Sequence, residues 1–265
     1  MNVAILMKQV PDTDNVKMDP ETGTMIRGGA GGVVNPLDLN ALEAAMSIRE
    51  AGDSVVIVSM GPPKADEALR EGLALGADRA ILATDKMFAG SDSLATANVL
   101  TAVLKKIGQS DLIIAGEKAT DGETGQVGPA VAALLGIPVA THVTRLEKIP
   151  GENTIEVDCT VEDGILTQRI GLPCVVTVLS DINALPLPTL LGKKRAYSAV
   201  VEVFSAADLA LSEADAGLAA SPTKVVKIEH SKVGRRAEKF MAKKREELDA
   251  GLDRVVAILT EAAII

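Results

Sequence analysis

Five short aliphatic runs set the rhythm of this chain: Val3 to Met7, Ser54 to Ser59, Arg79 to Thr84, Asp111 to Ala115 and Pro173 to Leu179. Each is rich in β-branched or other aliphatic residues with few polar interruptions, the pattern of strands buried on both faces. Between the first four lie segments whose apolar positions recur at helical spacing. Asn35-Pro36-Leu37-Asp38 opens one that runs to about Ala51, with Leu39, Leu42, Ala45, Met46 and Ile48 on one side and Gly52 where a terminating glycine belongs. Lys64 to Leu75 and Asp92 to Ile107 predict two more helices, and Pro129 to Leu135 a short fourth. Strands alternating with helices predict right-handed βαβ units, and so a doubly wound α/β fold with a mostly parallel sheet.

Two stretches break that rhythm. Pro11 to Gly32 is polar and Gly-rich (TGTMIRGGAGG), and its steps suggest a hairpin or ordered loop rather than a linker. After Gly136, the segments Thr144–Lys148, Thr154–Thr160 and Ile165–Arg169 read as a small antiparallel meander with turns at Gly151-Glu152-Asn153 and Glu162-Asp163-Gly164. From Asp181 the chain turns Pro- and Leu-rich, then loop-like to Ser221-Pro222. It ends in a charged helix from about Gly234 with Leu248, Leu252, Val255, Val256 and Leu259 on one face. The expected organisation is a domain over residues 1–180 and an arm over 181–265 that packs on another protein.

Composition narrows the chemistry. Among 265 residues there is no Trp, one Tyr and three Phe, so aliphatic side chains fill the core. A net charge of -9 argues against nucleic acid or an anionic membrane as the main partner, since both call for a basic surface. Cys159 and Cys174 have neither metal-ligand spacing nor a disulfide framework, and read as small buried hydrophobes. The N-terminal MNVAILMKQV lacks a signal-peptide apolar region, and no apolar run reaches membrane-spanning length, so a cytoplasmic location is expected. His142 and His230 stand far apart, and no metal-spaced cluster or nucleophile elbow occurs. With no catalytic residue and no metal site in view, any redox chemistry comes from a bound cofactor.

The segment Gly116-Glu-Lys-Ala-Thr-Asp-Gly-Glu-Thr-Gly-Gln-Val-Gly-Pro129 carries the most information. It follows a buried strand and precedes a helix, so it lies at the carboxyl edge of the sheet, where open α/β folds bind ligands. Gly122, Gly125 and Gly128 let backbone approach a phosphate, Thr124 and Gln126 add donors, and the N–H groups and dipole of the following helix favour an anion. Asp121 suits loop orientation or a ribose hydroxyl better than a phosphate. The competing reading is a Gly-rich turn into a helix without a ligand. Leu6-Met7-Lys8 and Met60-Gly61 end two other strands on the same edge. Met60 is either an apolar wall for an adenosine or a core methionine, and Asp92 either a helix cap or a residue facing a cofactor.

Taken together, VAILMKQVPDT, the Asn35-Pro36-x-Asp38 opening, SMGPPKADEALREGLALGADRA, DGETGQVGP and TVEDGILTQRIGLPCVVTV resemble the beta (small) subunit of electron-transfer flavoproteins over nearly the whole chain. The last segment departs from that family's signature only at Thr160-Val161 and Ile165. The resemblance implies a HUP-like, adenine-nucleotide-binding fold and an obligate alpha subunit, so that the chain is an oxidoreductase only within a complex. It places nucleotide contacts on Leu6, Lys8, Asn35, Met60, Asp121, Thr124, Gly125, Gln126 and Val127. The nucleotide it implies is AMP in simpler members or FAD in electron-bifurcating ones. The DPETGTMIR and DKMFAGSDSLAT segments look closer to the bifurcating branch. There, electrons from NADH divide between ferredoxin or flavodoxin and a flavin dehydrogenase of the acyl-CoA or lactate type. Leu185, Leu187, Pro188 and Leu190 lie in a segment similar to the family's recognition loop, with Leu187 at its apolar tip. The basic residues Arg235, Arg236, Lys239, Lys243, Lys244 and Arg245 read either as a solvated face or as a docking patch. A stand-alone nucleotide-binding module of the stress-protein type is the alternative from another class; it needs neither a long arm nor a Leu-Pro-rich loop.

Overall fold

The computed structural model describes residues 1–12, 17–18, 25–26, 32–224 and 241–261. They fall in two compact units, Met1–Lys224 and Val225–Ile265.

The first unit opens with β1 (Asn2–Leu6), β2 (Gln9–Pro11), two short strands β3 (Lys17–Met18) and β4 (Met25–Ile26), and β5 (Gly32–Val34). The alternation expected from the sequence follows: α1 (Pro36–Ser47), β6 (Ser54–Met60), α2 (Asp66–Leu75), β7 (Arg79–Ala83), α3 (Ser93–Ile107), β8 (Leu112–Gly116) and α4 (Val127–Leu135). The antiparallel meander is β9 (Val139–Lys148), β10 (Thr154–Val161) and β11 (Gly164–Gly171), after which β12 (Cys174–Val178), α5 (Leu190–Ser198) and β13 (Val201–Phe204) complete the unit. In the second unit α6 spans Arg245–Glu261.

One nine-stranded sheet organises the first unit, in the order β11-β10-β9-β12-β8-β1-β6-β7-β13. From β9 to β13 every neighbouring pair is parallel, and only β10 runs against its neighbours. β1 is central, and the chain builds β6 and β7 to one side of it before crossing to β8 on the other. That reversal makes the carboxyl ends of β1 and β8 the switch point of a doubly wound sheet.

The period-2 alternation of the strands divides the core. Val3 and Ile5 of β1 pack with Val55, Ile57, Leu112 and Ile114 under α1 and α2, whereas Ala4 and Leu6 pack with Val58, Ile113 and Ala115 under α3 and α4. The meander's Leu146, Ile155, Val157 and Cys159 join the α1–α2 layer. Both cysteines are buried, and burial pushes the Cys174 thiol up to about 12, as expected of packing residues. Ile114 is fully buried, so Ile114→Ala is expected to cost about 2–5 kcal/mol, read from urea denaturation of the full chain.

Several boundaries differ from the sequence expectation. α1 stops at Ser47 rather than Ala51, and Gly52 instead takes a left-handed turn at φ 94 before β6. The Gly-rich excursion begins as antiparallel pairing of β2 with β5 and of β3 with β4; residues 13–16, 19–24 and 27–31 lie outside the described residues. The expected start of the charged C-terminal helix near Gly234, with Arg235, Arg236 and Lys239, also lies outside them, and among the described residues 241–244 are not helical, so that α6 begins at Arg245.

The domain boundary was expected at residue 180, yet the compact unit continues to Lys224. β13 joins the sheet beside β7, and α5 packs on α2 through Arg195 Nη2 to the Leu73 carbonyl (2.8 Å) and Arg70 Nη1 to the Ala196 carbonyl (2.9 Å). Sequence reading missed α5 because it has no amphipathic stripe: only Ala196 of its residues is buried.

Candidate functional site

The crevice at the switch point is built from the strand ends outward. β1 ends at Leu6, whose side chain is buried in the α3–α4 core, and Met7 N–H then donates to the Val58 carbonyl of β6 (2.8 Å). Lys8, next in line, leaves the sheet, and its ammonium reaches across to Asp121 Oδ1 at 2.7 Å. This ion pair spans the crevice from the end of β1 to the loop after β8. Its side chains are half-exposed, so solvent screens the attraction.

Beneath it lies a buried polar knot. Asn35 caps the entry to α1 and Asp38 stands in that helix's first turn, and they are 1% and 6% exposed. Asp38 Oδ2 accepts Lys8 N–H (2.7 Å), and its Oδ1 accepts Gly116 N–H (3.1 Å) and Asn35 Nδ2 (3.0 Å). Asn35 also donates to the Lys118 carbonyl (2.9 Å), accepts from Thr120 N–H (3.3 Å) and gives its backbone N–H to the Lys8 carbonyl (2.9 Å). Burial pushes the Asp38 carboxyl up to about 7, with its three donors and Lys8 offsetting only part of that rise. Because the folded chain then holds the Asp38 proton more tightly than the unfolded chain, this group's contribution to stability is full below about pH 4. It is lost as pH rises towards about 7.

The loop above the knot is an exposed polar rim. Asp121, Gly122, Glu123, Thr124 and Gln126 are exposed, while Gly125 and Val127 are half-buried and Gly128 is buried. Glu123 and Gly125 adopt left-handed conformations (φ 51 and 64), and Glu123 N–H closes the loop on the Ala119 carbonyl (2.9 Å). A Cβ added at Gly122 would meet nothing within 4 Å, so space beside that backbone is open. At Gly128 a Cβ would stand 2.5 Å from Thr177 Cγ2, so this glycine serves close packing of α4 on β12. No side chain caps α4, which leaves the amides of its first turn, at Val127 and Gly128, facing the loop. These features fit a phosphate-bearing nucleotide: exposed backbone, an uncapped helix start and a cation opposite.

Met60 and Gly61 follow β6 on the same edge. Met60 is half-buried against the α3–α4 core, and Gly61 N–H donates to the Ala83 carbonyl (3.1 Å). Asp92 turns out to be a cap, accepting from Leu94 and Ala95 N–H at 3.0 and 3.1 Å, and it also takes Thr223 N–H and Oγ at 2.9 and 2.7 Å. Burial works to raise its carboxyl, yet these donors bring it below the usual range.

Two features had no counterpart in the sequence reading. His142 sits at φ 57 where the β9–β12 register slips, with Nε2 3.7 Å from Glu117 Oε1, and Ser93 Oγ donates to Thr124 Oγ1 (3.0 Å). A left-handed histidine in a strand has no signature in a single sequence, since the residue type does not demand it.

The candidate docking residues lie elsewhere. Leu185, Leu187 and Leu190 are exposed and Pro188 half-buried, and Leu187 reaches 90% exposure. Leu187 and Leu191 line a shallow cleft of about 340 Å³ against Ala74 to Gly76. Pro188 and Tyr197 line another of about 320 Å³ against Arg70, Glu71 and Ala74 of α2. α2 starts beside the Met60–Pro62 turn and ends there, so roughly 15 Å of helix separates the two regions. Among the described residues no group of three or more His, Cys, Asp or Glu is placed to hold a metal, and no helix is long and apolar enough to cross a membrane.

Residues 22–209 match the family model described as the electron transfer flavoprotein domain. An electron transfer flavoprotein subunit beta of Thermoanaerobacterium thermosaccharolyticum is 41% identical over 96% of this chain and 98% of its own length. The caffeyl-CoA reductase-Etf complex subunit CarD of Acetobacterium woodii is 43% identical over 85% of this chain and 86% of its own. Protein FixA of Azorhizobium caulinodans is 37% identical, covering 86% and 84%.

Proposed function

The chain belongs to the electron transfer flavoprotein family, in its beta-subunit branch, and on that premise we propose that it binds FAD in the crevice between β1 and β8. With an alpha subunit, in the cytoplasm, it takes electrons from NADH. It divides them between ferredoxin or flavodoxin and a flavin dehydrogenase of the acyl-CoA or lactate type.

The observation that carries this reading is the rim from Asp121 to Gln126, which leads into an uncapped α4 opposite the Lys8 ammonium. An anionic pyrophosphate suits those amides, and Lys8 supplies the counter-charge by exchanging Asp121 for phosphate. Thr124 and Gln126 add side-chain donors, Asp121 orients the loop or accepts from a ribose hydroxyl, and Met60 offers an apolar wall to the adenine. When bound, a flavin supplies the exchange between two-electron and one-electron transfer. The chain's own residues bind and orient it.

The name of the CarD relative supports a partner acting on a CoA thioester. For docking, we assign Leu185, Leu187, Pro188 and Leu190 to the dehydrogenase as an exposed apolar anchor. The 225–265 arm is assigned to the alpha subunit, in keeping with exposed Leu248, Leu252, Val255 and Val256 on α6.

The test is to purify the chain with its alpha subunit, release and count bound nucleotides, and add NADH without oxygen. Two FAD per heterodimer and rapid bleaching are expected. One FAD with one AMP contradicts the bifurcating reading, and the absence of any adenine nucleotide contradicts the crevice assignment altogether.

A further inference from the structure

We propose that Asp38 is a positioning residue for this crevice: one buried carboxylate ties the ends of β1 and β8 to the first turn of α1, and so fixes the spacing of the two walls that hold the nucleotide. The inference rests on the reading of the crevice as a nucleotide site. Its geometry is independent of that reading. Asp38 accepts the amide of Lys8 from one wall and the amide of Gly116 from the other, at 2.7 and 3.1 Å. Asn35, bonded to Asp38 at 3.0 Å, extends the tie to the Lys118 carbonyl and the Thr120 amide. The loop that follows carries Asp121 to Gln126, so its starting point is set by these bonds.

The chemistry calls for a carboxylate here. All three groups facing Asp38 are donors, and none accepts. A carboxamide in its place would keep one acceptor and turn an NH2 group against the Lys8 or Gly116 amide. Packing alone would be served by an apolar side chain, without the cost of burying a charge. The start of α1 favours the negative form through its dipole. Among the described residues the charged group that faces Asp38 is Lys8, itself paired with Asp121; α1 contributes Asn35 and β8 an amide. A carboxyl that ionises near neutrality makes this tie pH-sensitive, and nucleotide binding, which needs the ionised form, strengthens as pH rises through about 7.

The experiment titrates FAD into the full chain between about pH 5.5 and 8.5, a range in which the FAD phosphates stay ionised. Asp38→Asn is compared with Asp78→Asn, a control at the opposite edge of the sheet, where Asp78 likewise accepts a strand amide (Val55 N–H, 2.8 Å). The expected outcome is a loss of roughly tenfold or more in FAD affinity for D38N, with a flattened pH profile. D78N should stay within about twofold of the parent chain. Equal affinity and equal pH profile in D38N and the parent overturn the proposal, as does an equal loss in D78N. If D38N does not fold, amide hydrogen exchange on the parent chain decides. Lys8 and Gly116 protection should rise together through neutrality, with a midpoint lowered by FAD; independent behaviour, or a midpoint that FAD leaves unmoved, overturns the tie. A parent chain that binds neither FAD nor AMP overturns the nucleotide reading and this inference together, whereas binding unaffected by D38N overturns this inference alone.

Discussion

A Gly116→Ala chain will lose stability and nucleotide together. The added Cβ would stand 2.5 Å from Asp38 Oδ1, 2.7 Å from Leu37 Cβ and 2.9 Å from the Leu37 backbone carbon. None of these is the free end of a flexible side chain: Asp38 is held by three donors, and Leu37 belongs to the first turn of α1. Relief therefore requires α1 to move away from β8, which stretches the bonds that join the crevice walls. Overpacking of this kind costs about 1–3 kcal/mol, and contact with backbone puts this site at the upper end. For a chain of this size that is a fall of roughly 6–12 °C in Tm. Calorimetry and FAD titration on the same preparation check both halves of the expectation. A fall in Tm with undiminished FAD affinity would separate the fold of α1 from the crevice.

The second large effect is kinetic and leaves the fold alone. Leu187 is almost fully exposed, so Leu187→Ala removes no packing within the chain. If this side chain anchors the dehydrogenase, its truncation costs about 2 kcal/mol of binding, or roughly 30-fold in the rate of electron delivery at limiting partner. Gly192→Ala should produce the same defect from behind. A Cβ there would collide with the Ala74 carbonyl oxygen, and backbone cannot give way as a side-chain end does. α5 must then lift from α2 and carry the Leu187 segment with it. The nucleotide crevice, at the other end of α2, should keep its FAD in both variants. Stopped-flow reduction of the dehydrogenase, beside FAD content, reads the two sites separately.

The parallel sheet was legible because its strands are unbroken aliphatic runs separated by helical spacing, a signal that needs no tertiary information. The Gly116–Pro129 loop was legible for a related reason: a Gly-rich stretch directly after a buried strand must lie at the carboxyl edge. Asp38 was read only as part of a helix opening. An acidic residue in a first turn is ordinary, and the partner that changes its meaning, the Gly116 amide, stands 78 residues further along the chain. Asn35 illustrates the same limit. The family resemblance implied a nucleotide contact there, and no residue pattern pointed to the bonds its side chain makes with Asp38, Lys118 and Thr120. α5 and β13 were read as part of an arm because VEVF is short and LLGKKRAYS has no apolar face. Their places are fixed by Arg70, Arg195 and the edge of β7, which are long-range contacts.

Gly122 offers the cleanest view of whether a nucleotide occupies this crevice. A Cβ there would meet nothing in the protein within 4 Å, and its backbone is not left-handed, so a side chain can leave the backbone without strain. Only a ligand lying against the loop would notice it. Gly122→Leu should therefore keep the parent Tm while its FAD affinity falls roughly tenfold or more. Parent-like Tm with parent-like FAD affinity would mean that the ligand does not approach this loop, and would contradict the assignment of the crevice.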